Sequence, residues 1–257
     1  MKPKLSIHKF SSCDGCQLSL LNAGEALLTL GELVDMVHFV EAGPVDFDAQ
    51  VDIAMVEGSV ATPEDLGRIQ RIRANSKYLI TLGACATAGG VQALRNLADG
   101  QGWIDAVYAS PQYISSLATS TPIAAHVKVD LELWGCPVNT RQVLAAVRAL
   151  LFGVVPAVSR DSLCMECKRA GNVCVLVAKG TPCMGPVTQT GCGALCPRFG
   201  RDCYACYGPA ENPNTSALAR RFAGLGLVPE AVARRFLTIN NAAPVFVQAA
   251  QQARGKP

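Results

Sequence analysis

The chain has 257 residues, half of them hydrophobic, 6% aromatic and 17% charged, with a formal charge of +3. That composition is of the globular type and excludes a disordered chain, and so small a charge, without a basic stripe interleaved with aromatics, leaves no footprint for nucleic acid. No apolar run reaches the roughly 18–20 residues of a membrane span, since the longest candidate, 143–158, is broken by Arg148 and Pro156.

In chain order, residues 4–8 form a short apolar strand. Before them stands neither an apolar h-region nor a twin-arginine pair, which predicts a cytoplasmic protein. Residues 17–33 carry Leu18, Leu21, Leu27, Leu28 and Leu30 at roughly helical spacing. Residues 37–40 and 51–56 are apolar runs of strand length rich in β-branched residues. Thr62 followed by Pro63 is an N-cap with proline at the first helical position, opening a helix through Arg73. Residues 78–82 form another strand, followed by Gly83 and a turn of small residues. A further strand over 127–133 leads to Gly135-Cys136-Pro137, and Asn139-Thr140 caps a helix to about Leu151. Strands separated by helices predict an α/β fold, a parallel sheet with helices on both faces.

Around residues 156–161 this pattern breaks, which predicts two domains, 1–155 and 156–257. Between Cys164 and Pro209 there is scarcely any periodicity, many Gly and Pro, and eight cysteines. Such a stretch cannot build a large apolar core, so metal centres must supply much of its order. Residues 215–224 and 229–236 read as two short helices, and the tail after Pro244 as a docking or surface segment.

Twelve cysteines in a reducing compartment point to metal or redox chemistry rather than disulfides, and they divide into three sets of four. Cys13 and Cys16 follow the first strand, Cys85 the 78–82 strand and Cys136 the 127–133 strand. All four lie just beyond carboxyl ends of strands, where open α/β sheets bind ligands. Four thiolates suit a 4Fe–4S cubane, and small neighbours let backbone N–H groups approach its sulfurs. A structural zinc site is the alternative, although zinc usually draws two close pairs from local knuckles. The second region reads Cys164-x₂-Cys167-x₆-Cys174-x₈-Cys183, then Cys192-x₃-Cys196-x₆-Cys203-x₂-Cys206. A sequential division into two sites is the simplest. Two-cluster ferredoxins interleave their ligands, so spacing alone leaves the pairing open.

Several ordered motifs together carry a resemblance over most of the chain. They are Cys13-Asp14-Gly15-Cys16-Gln17-Leu18-Ser19-Leu20, Val56-Glu57-Gly58-Ser59-Val60, Gly83-Ala84-Cys85-Ala86-Thr87-Ala88-Gly89-Gly90 and Gly135-Cys136-Pro137. Pro182-Cys183-Met184-Gly185-Pro186-Val187-Thr188 and Cys203-Tyr204-Ala205-Cys206 complete the set. The chain resembles the small, electron-transferring subunit of nickel–iron hydrogenases, particularly the cytoplasmic multisubunit type that includes the sulfhydrogenase delta subunit. The resemblance implies a flavodoxin-like domain whose proximal cluster, on Cys13, Cys16, Cys85 and Cys136, lies nearest the nickel–iron centre of a separate large subunit. It implies an irregular cysteine-rich iron–sulfur domain after it. By position Cys164, Cys167, Cys174 and Cys183 match the family's distal set, and Cys192, Cys203 and Cys206 its medial set. Cys196 is available as a fourth medial ligand, so three 4Fe–4S clusters are expected. Many membrane-associated relatives have a histidine where Cys164 stands, so the resemblance implies an all-thiolate distal site here. The terminal-cluster subunit of respiratory complex I is a more distant relative; it has a tandem cysteine pair in place of Cys13-x₂-Cys16 and lacks the eight-cysteine extension.

Expected partners are a nickel–iron large subunit and diaphorase-type subunits that carry flavin, NAD(P) and iron–sulfur centres. No G-x-G-x-x-G follows a strand, so nucleotide and flavin belong on those other subunits. A stand-alone polyferredoxin-like carrier is the alternative. Among other residues, Glu57 at a strand end is costly to bury unless paired; it is a candidate proton relay or an acid bonded to backbone. Glu25 has the same two readings, the plain one being a solvated helix face. His8, His38 and His126 show no ligand spacing and read as structural. Lys168, Arg169, Arg198 and Arg201 are either solvated charges or a steering patch for an acidic partner.

Overall fold

A computed structural model describes residues 2–255, and the chain divides into two compact units between Ala157 and Val158. The first unit alternates strand and helix: β1 (Lys4–Lys9), α1 (Gly15–Leu21), α2 (Glu25–Leu33), β2 (Asp35–Phe39), β3 (Val51–Glu57), α3 (Pro63–Ala74), β4 (Ser76–Leu82), α4 (Gly83–Ala88), α5 (Gly100–Val107), β5 (Leu131–Leu133) and α6 (Thr140–Leu151). The strands form one parallel sheet in the order β2-β1-β3-β4-β5, the flavodoxin-like order. From β1 the connections lead to β2 on one side and, after β3, to β4 and β5 on the other, an order in which the usual right-handed crossovers place helices on both faces. Register puts Ile7 beside Phe39 and Met55, and Met55 beside Ile80. All four are completely buried, as a sheet covered on both faces requires.

Helix α3 shows why its sequence folds locally. The Asp65 N–H donates to Thr62 Oγ1 while the Asp65 carboxylate accepts the Thr62 N–H at 3.0 Å, with Pro63 in the first turn; this is a reciprocal cap. Its Ile69 and Ile72 then pack against Ala54, Val56 and Leu79 of the sheet. Three expectations change. The helix expected over 17–33 is two, because the chain turns at Asn22–Gly24 with Gly24 at φ 59°, a conformation that suits glycine. Leu18 and Leu28 of its expected apolar face are exposed. The small-residue turn after Leu82 is helix α4, and the strand expected over 127–133 is only the three residues of β5.

The second unit begins with three short helices, α7 (Leu163–Arg169), α8 (Val175–Ala178) and α9 (Leu195–Arg198), in otherwise irregular chain. A helical lobe follows: α10 (Thr215–Gly224), α11 (Pro229–Leu237) and α12 (Pro244–Ala253). Phe222, Phe236 and Phe246 are at most 1% exposed, and the Phe236 and Phe246 rings meet at 5.7 Å. Of the two readings of the segment after Pro244, docking or surface, the structure shows docking: Phe246, Ala249 and Ala250 are buried. Arg254 forks onto both oxygens of Glu230 at 2.8 Å, tying the end of α12 to α11. Among the described residues no helix is long and apolar enough to cross a membrane.

Candidate metal centres

In the first unit, β1 runs out into Cys13, and Asp14 takes a left-handed conformation (φ 63°) at the start of α1. Cys16 thus enters the first turn of α1, while Cys85 sits in α4 directly after β4 and Cys136 follows β5. Glu57 ends the neighbouring strand β3. It is 2% exposed, and its carboxylate accepts the Cys16 N–H at 3.0 Å and the Gln17 N–H at 2.9 Å. Those are free amides of the helix's first turn, so Glu57 caps α1 and fixes Cys16. Burial raises the Glu57 carboxyl against the pull of these two bonds.

The thiols perturb one another. Burial and then the Cys136, Cys13 and Glu57 charges push Cys85 up to about 12. Burial, and then Glu57, raises Cys16, with Cys85 and Cys136 adding to it; burial, Cys13 and Glu57 raise Cys136. Cys13, Cys16, Cys85 and Cys136 therefore share one neighbourhood with Glu57. Four thiolates and a carboxylate cannot all stand charged there without a cationic centre between them.

The surrounding backbone leaves room for such a centre. A Cβ on Gly83 (φ +80°) would lie 2.3 Å from Cys16 Sγ, one on Gly90 (φ +61°) 2.6 Å from Cys85 Sγ, and one on Gly15 3.2 Å from Cys13 Sγ. Bare glycine beside three of the four sulfurs is what close approach of backbone to a cluster needs.

In the second unit, Cys164 and Cys167 lie on α7, Cys174 at the start of α8 and Cys183 in the loop beyond. All four line a single, largely apolar cavity. A Cβ on Gly185 would touch both Cys183 Sγ and Cys164 Sγ, at 3.5 and 3.6 Å. These residues fit one cluster in a sequential set.

The remaining four come together as two pairs. Burial raises Cys192, with Glu166 and Cys196 adding to it against the N–H groups of Leu195 and Ala194. Burial likewise raises Cys203, and the charges of Cys183 and Cys206 reinforce it. The two C-terminal sets also touch: the Cys203 N–H donates to Cys183 Sγ at 3.2 Å. Glu166, between Cys164 and Cys167, accepts the N–H groups of Gly191 and Gly193 at 3.1 and 3.0 Å, so one carboxylate grips both flanks of Cys192.

Among the described residues no three His, Cys, Asp or Glu side chains converge on a point that one metal ion could occupy. Zinc draws its sulfurs to about 2.3 Å from a single centre, whereas a cubane spreads its ligands over four irons.

The other residues singled out in the sequence are accounted for without a metal. His8 bonds Ser6 Oγ at 2.9 Å and stacks on His38 at 4.4 Å, and His126 bonds Thr121 Oγ1 at 2.7 Å. Glu25 is exposed in the first turn of α2, where an acid favours the helix dipole. Lys168, Arg169, Arg198 and Arg201 are all exposed. Sequence reasoning did not find Glu166, nor the partners of the Cys203–Cys206 turn. Asp202 pairs with Arg235, and Asn240 donates to the Ala205 carbonyl.

Comparison with known proteins gives a consistent result. The model of the NADH ubiquinone oxidoreductase 20 kDa subunit family matches residues 13–150. The delta subunit of sulfhydrogenase 2 from Pyrococcus furiosus is 33% identical over 235 residues, 91% of this chain and 98% of that one. Among solved structures, a chain of an NAD+-reducing [NiFe]-hydrogenase in the H2-reduced state superposes with a TM-score of 0.56 at 25% identity, covering 62% of this chain and 96% of that chain. A chain of the actinobacterial-type NiFe-hydrogenase from Ralstonia eutropha H16 has the same fold, with a TM-score of 0.60 at 16% identity over 99% of this chain and 90% of that chain.

Proposed function

This chain belongs to the NADH ubiquinone oxidoreductase 20 kDa subunit family, beside the sulfhydrogenase delta subunit, and we propose on that premise that it is the electron-relaying small subunit of a nickel–iron hydrogenase. The nickel–iron site belongs to a separate large subunit. Cys13, Cys16, Cys85 and Cys136 would hold the proximal four-iron cluster, Cys192, Cys196, Cys203 and Cys206 the medial one, and Cys164, Cys167, Cys174 and Cys183 the distal one. When bound, such clusters pass single electrons.

The observation that carries the reading is the gathering of Cys13, Cys16, Cys85 and Cys136 at the carboxyl edge of a parallel sheet, where ligands bind in open α/β folds. Glu57 holds Cys16 in place there. Its two oxygens accept two backbone N–H groups, and we assign it that positioning role ahead of proton transfer. Cys196, beside Cys192, gives the medial site a fourth thiolate and so a four-iron rather than a three-iron cluster. Electrons would leave through the distal site toward a diaphorase-type partner that carries flavin and NAD(P). The reading is supported by the likeness to a chain of an NAD+-reducing hydrogenase and by the exposed Lys168 and Arg169, which follow Cys167 of that site on α7. The complex would be cytoplasmic.

Purification of the native complex tests this. The expected result is a larger nickel-containing partner, clusters that reduce under hydrogen, and no three-iron EPR signal after oxidation. A nickel-free monomer with full cluster content would instead identify a polyferredoxin-like carrier, and a stoichiometric three-iron signal would remove the four-iron medial site.

A further inference from the structure

The turn from Asp202 to Cys206 is held by residues of the helical lobe, none of which is a cysteine. Asp202, 7% exposed, forms an ion pair with Arg235 of α11. The Arg235 guanidinium also lies over the Tyr204 ring, 5.3 Å from its centroid. The carbonyl of Ala205 accepts a hydrogen bond from Asn240, which is 1% exposed.

Ala205 needs such a hold. It stands at φ +62° without being glycine, a left-handed conformation that an ordinary residue holds only when its surroundings fix it. That conformation aims the Ala205 N–H at Cys203 Sγ, 3.3 Å away, a bond that favours the thiolate over the thiol. The turn thus points both a sulfur and a donor inward. The groups that keep it so arrive from about 30 residues further along the chain.

We propose that Arg235 and Asn240 are positioning residues for the cluster on Cys192, Cys196, Cys203 and Cys206, and that the helical lobe exists in part to lock this turn. The inference rests on the cluster assignment above. Arg235 locks the two sides of Cys203 through Asp202 and Tyr204, and Asn240 locks the left-handed residue between Cys203 and Cys206. Neither is among the cluster's proposed ligands, so each would act through the turn, on the position of the Cys203 sulfur and of the Ala205 N–H that donates to it.

The test uses the intact complex with Arg235→Gln, Arg235→Lys and Asn240→Leu, followed by EPR-monitored redox titration and thermal melting. In the wild type three cluster signals are expected; finding only two would overturn the cluster assignment itself. Given three, Arg235→Gln and Asn240→Leu should shift or lose one signal and leave the other two unchanged, and Arg235→Lys should restore most of the shifted one. Equal loss of all three signals, or three unshifted signals with a lowered melting temperature, would make these residues merely structural and overturn the proposal. If Asn240→Leu fails to accumulate, Asp202→Asn, which keeps the shape and removes the charge, decides by the same reading.

Discussion

The two units collect thiols in opposite ways. In the first, Cys13, Cys16, Cys85 and Cys136 come from positions spread over more than a hundred residues, and a sheet with a fully buried row of Ile7, Phe39, Met55 and Ile80 delivers them to one edge. There the fold precedes the site. In the second, eight cysteines fall within one irregular stretch whose helices α7, α8 and α9 have seven, four and four residues. Isolated helices that short do not persist in water. On the proposed cluster assignment the site there precedes the fold, and ordering would come from the ligated metal together with clamps such as Glu166 and Arg235. The same chemistry is thus a passenger on one scaffold and a structural member of the other.

Iron removal should break this contrast most visibly. In the intact chain, chelation under reducing conditions is expected to strip hydrogen-exchange protection from residues 160–210 while β1, β3 and β4 stay protected. Equal loss of protection in both units would mean that the sheet also depends on its cluster. The next largest effect should come from Phe246→Ala. This ring is fully buried against Phe236, and truncation should cost about 3–5 kcal/mol, read as a lowered denaturation midpoint for the second unit alone.

A smaller effect, confined to the first unit, follows from His8. Burial and the neighbouring His38 push it down to about 3, so the folded state holds it neutral where the unfolded chain, near 6.5, takes up a proton. The stability it permits is complete above pH 6.5 and falls as the pH drops below it, by about 2 kcal/mol at pH 5. Denaturant midpoints from pH 7.5 to 5 check this, and a His8→Leu variant should flatten the slope.

What was legible in the sequence follows the same division. The strand ends and their cysteines could be read because short hydrophobic runs bounded by turn residues mark a buried sheet wherever they occur. The capped start of α3 could be read because Thr62 and Pro63 are neighbours; the reciprocal bond from Asp65 came only with the structure. Gly24 carried the break between α1 and α2, although the leucine spacing ran through it. The clamps were not legible. Glu166 meets Gly191 and Gly193, and Arg235 meets Asp202, through chain separations that leave no periodic trace. The tail after Pro244 could be read as a docking segment but its buried face could not, since the ten residues of α12 carry too little pattern to single out Phe246.

The most direct test of the account is metal analysis of the native complex, resolved by subunit. It predicts about twelve irons on this chain, four for each of three sites, with nickel confined to the larger partner and no zinc. Zinc in place of iron, or about eight irons with one set of cysteines unliganded, would contradict it.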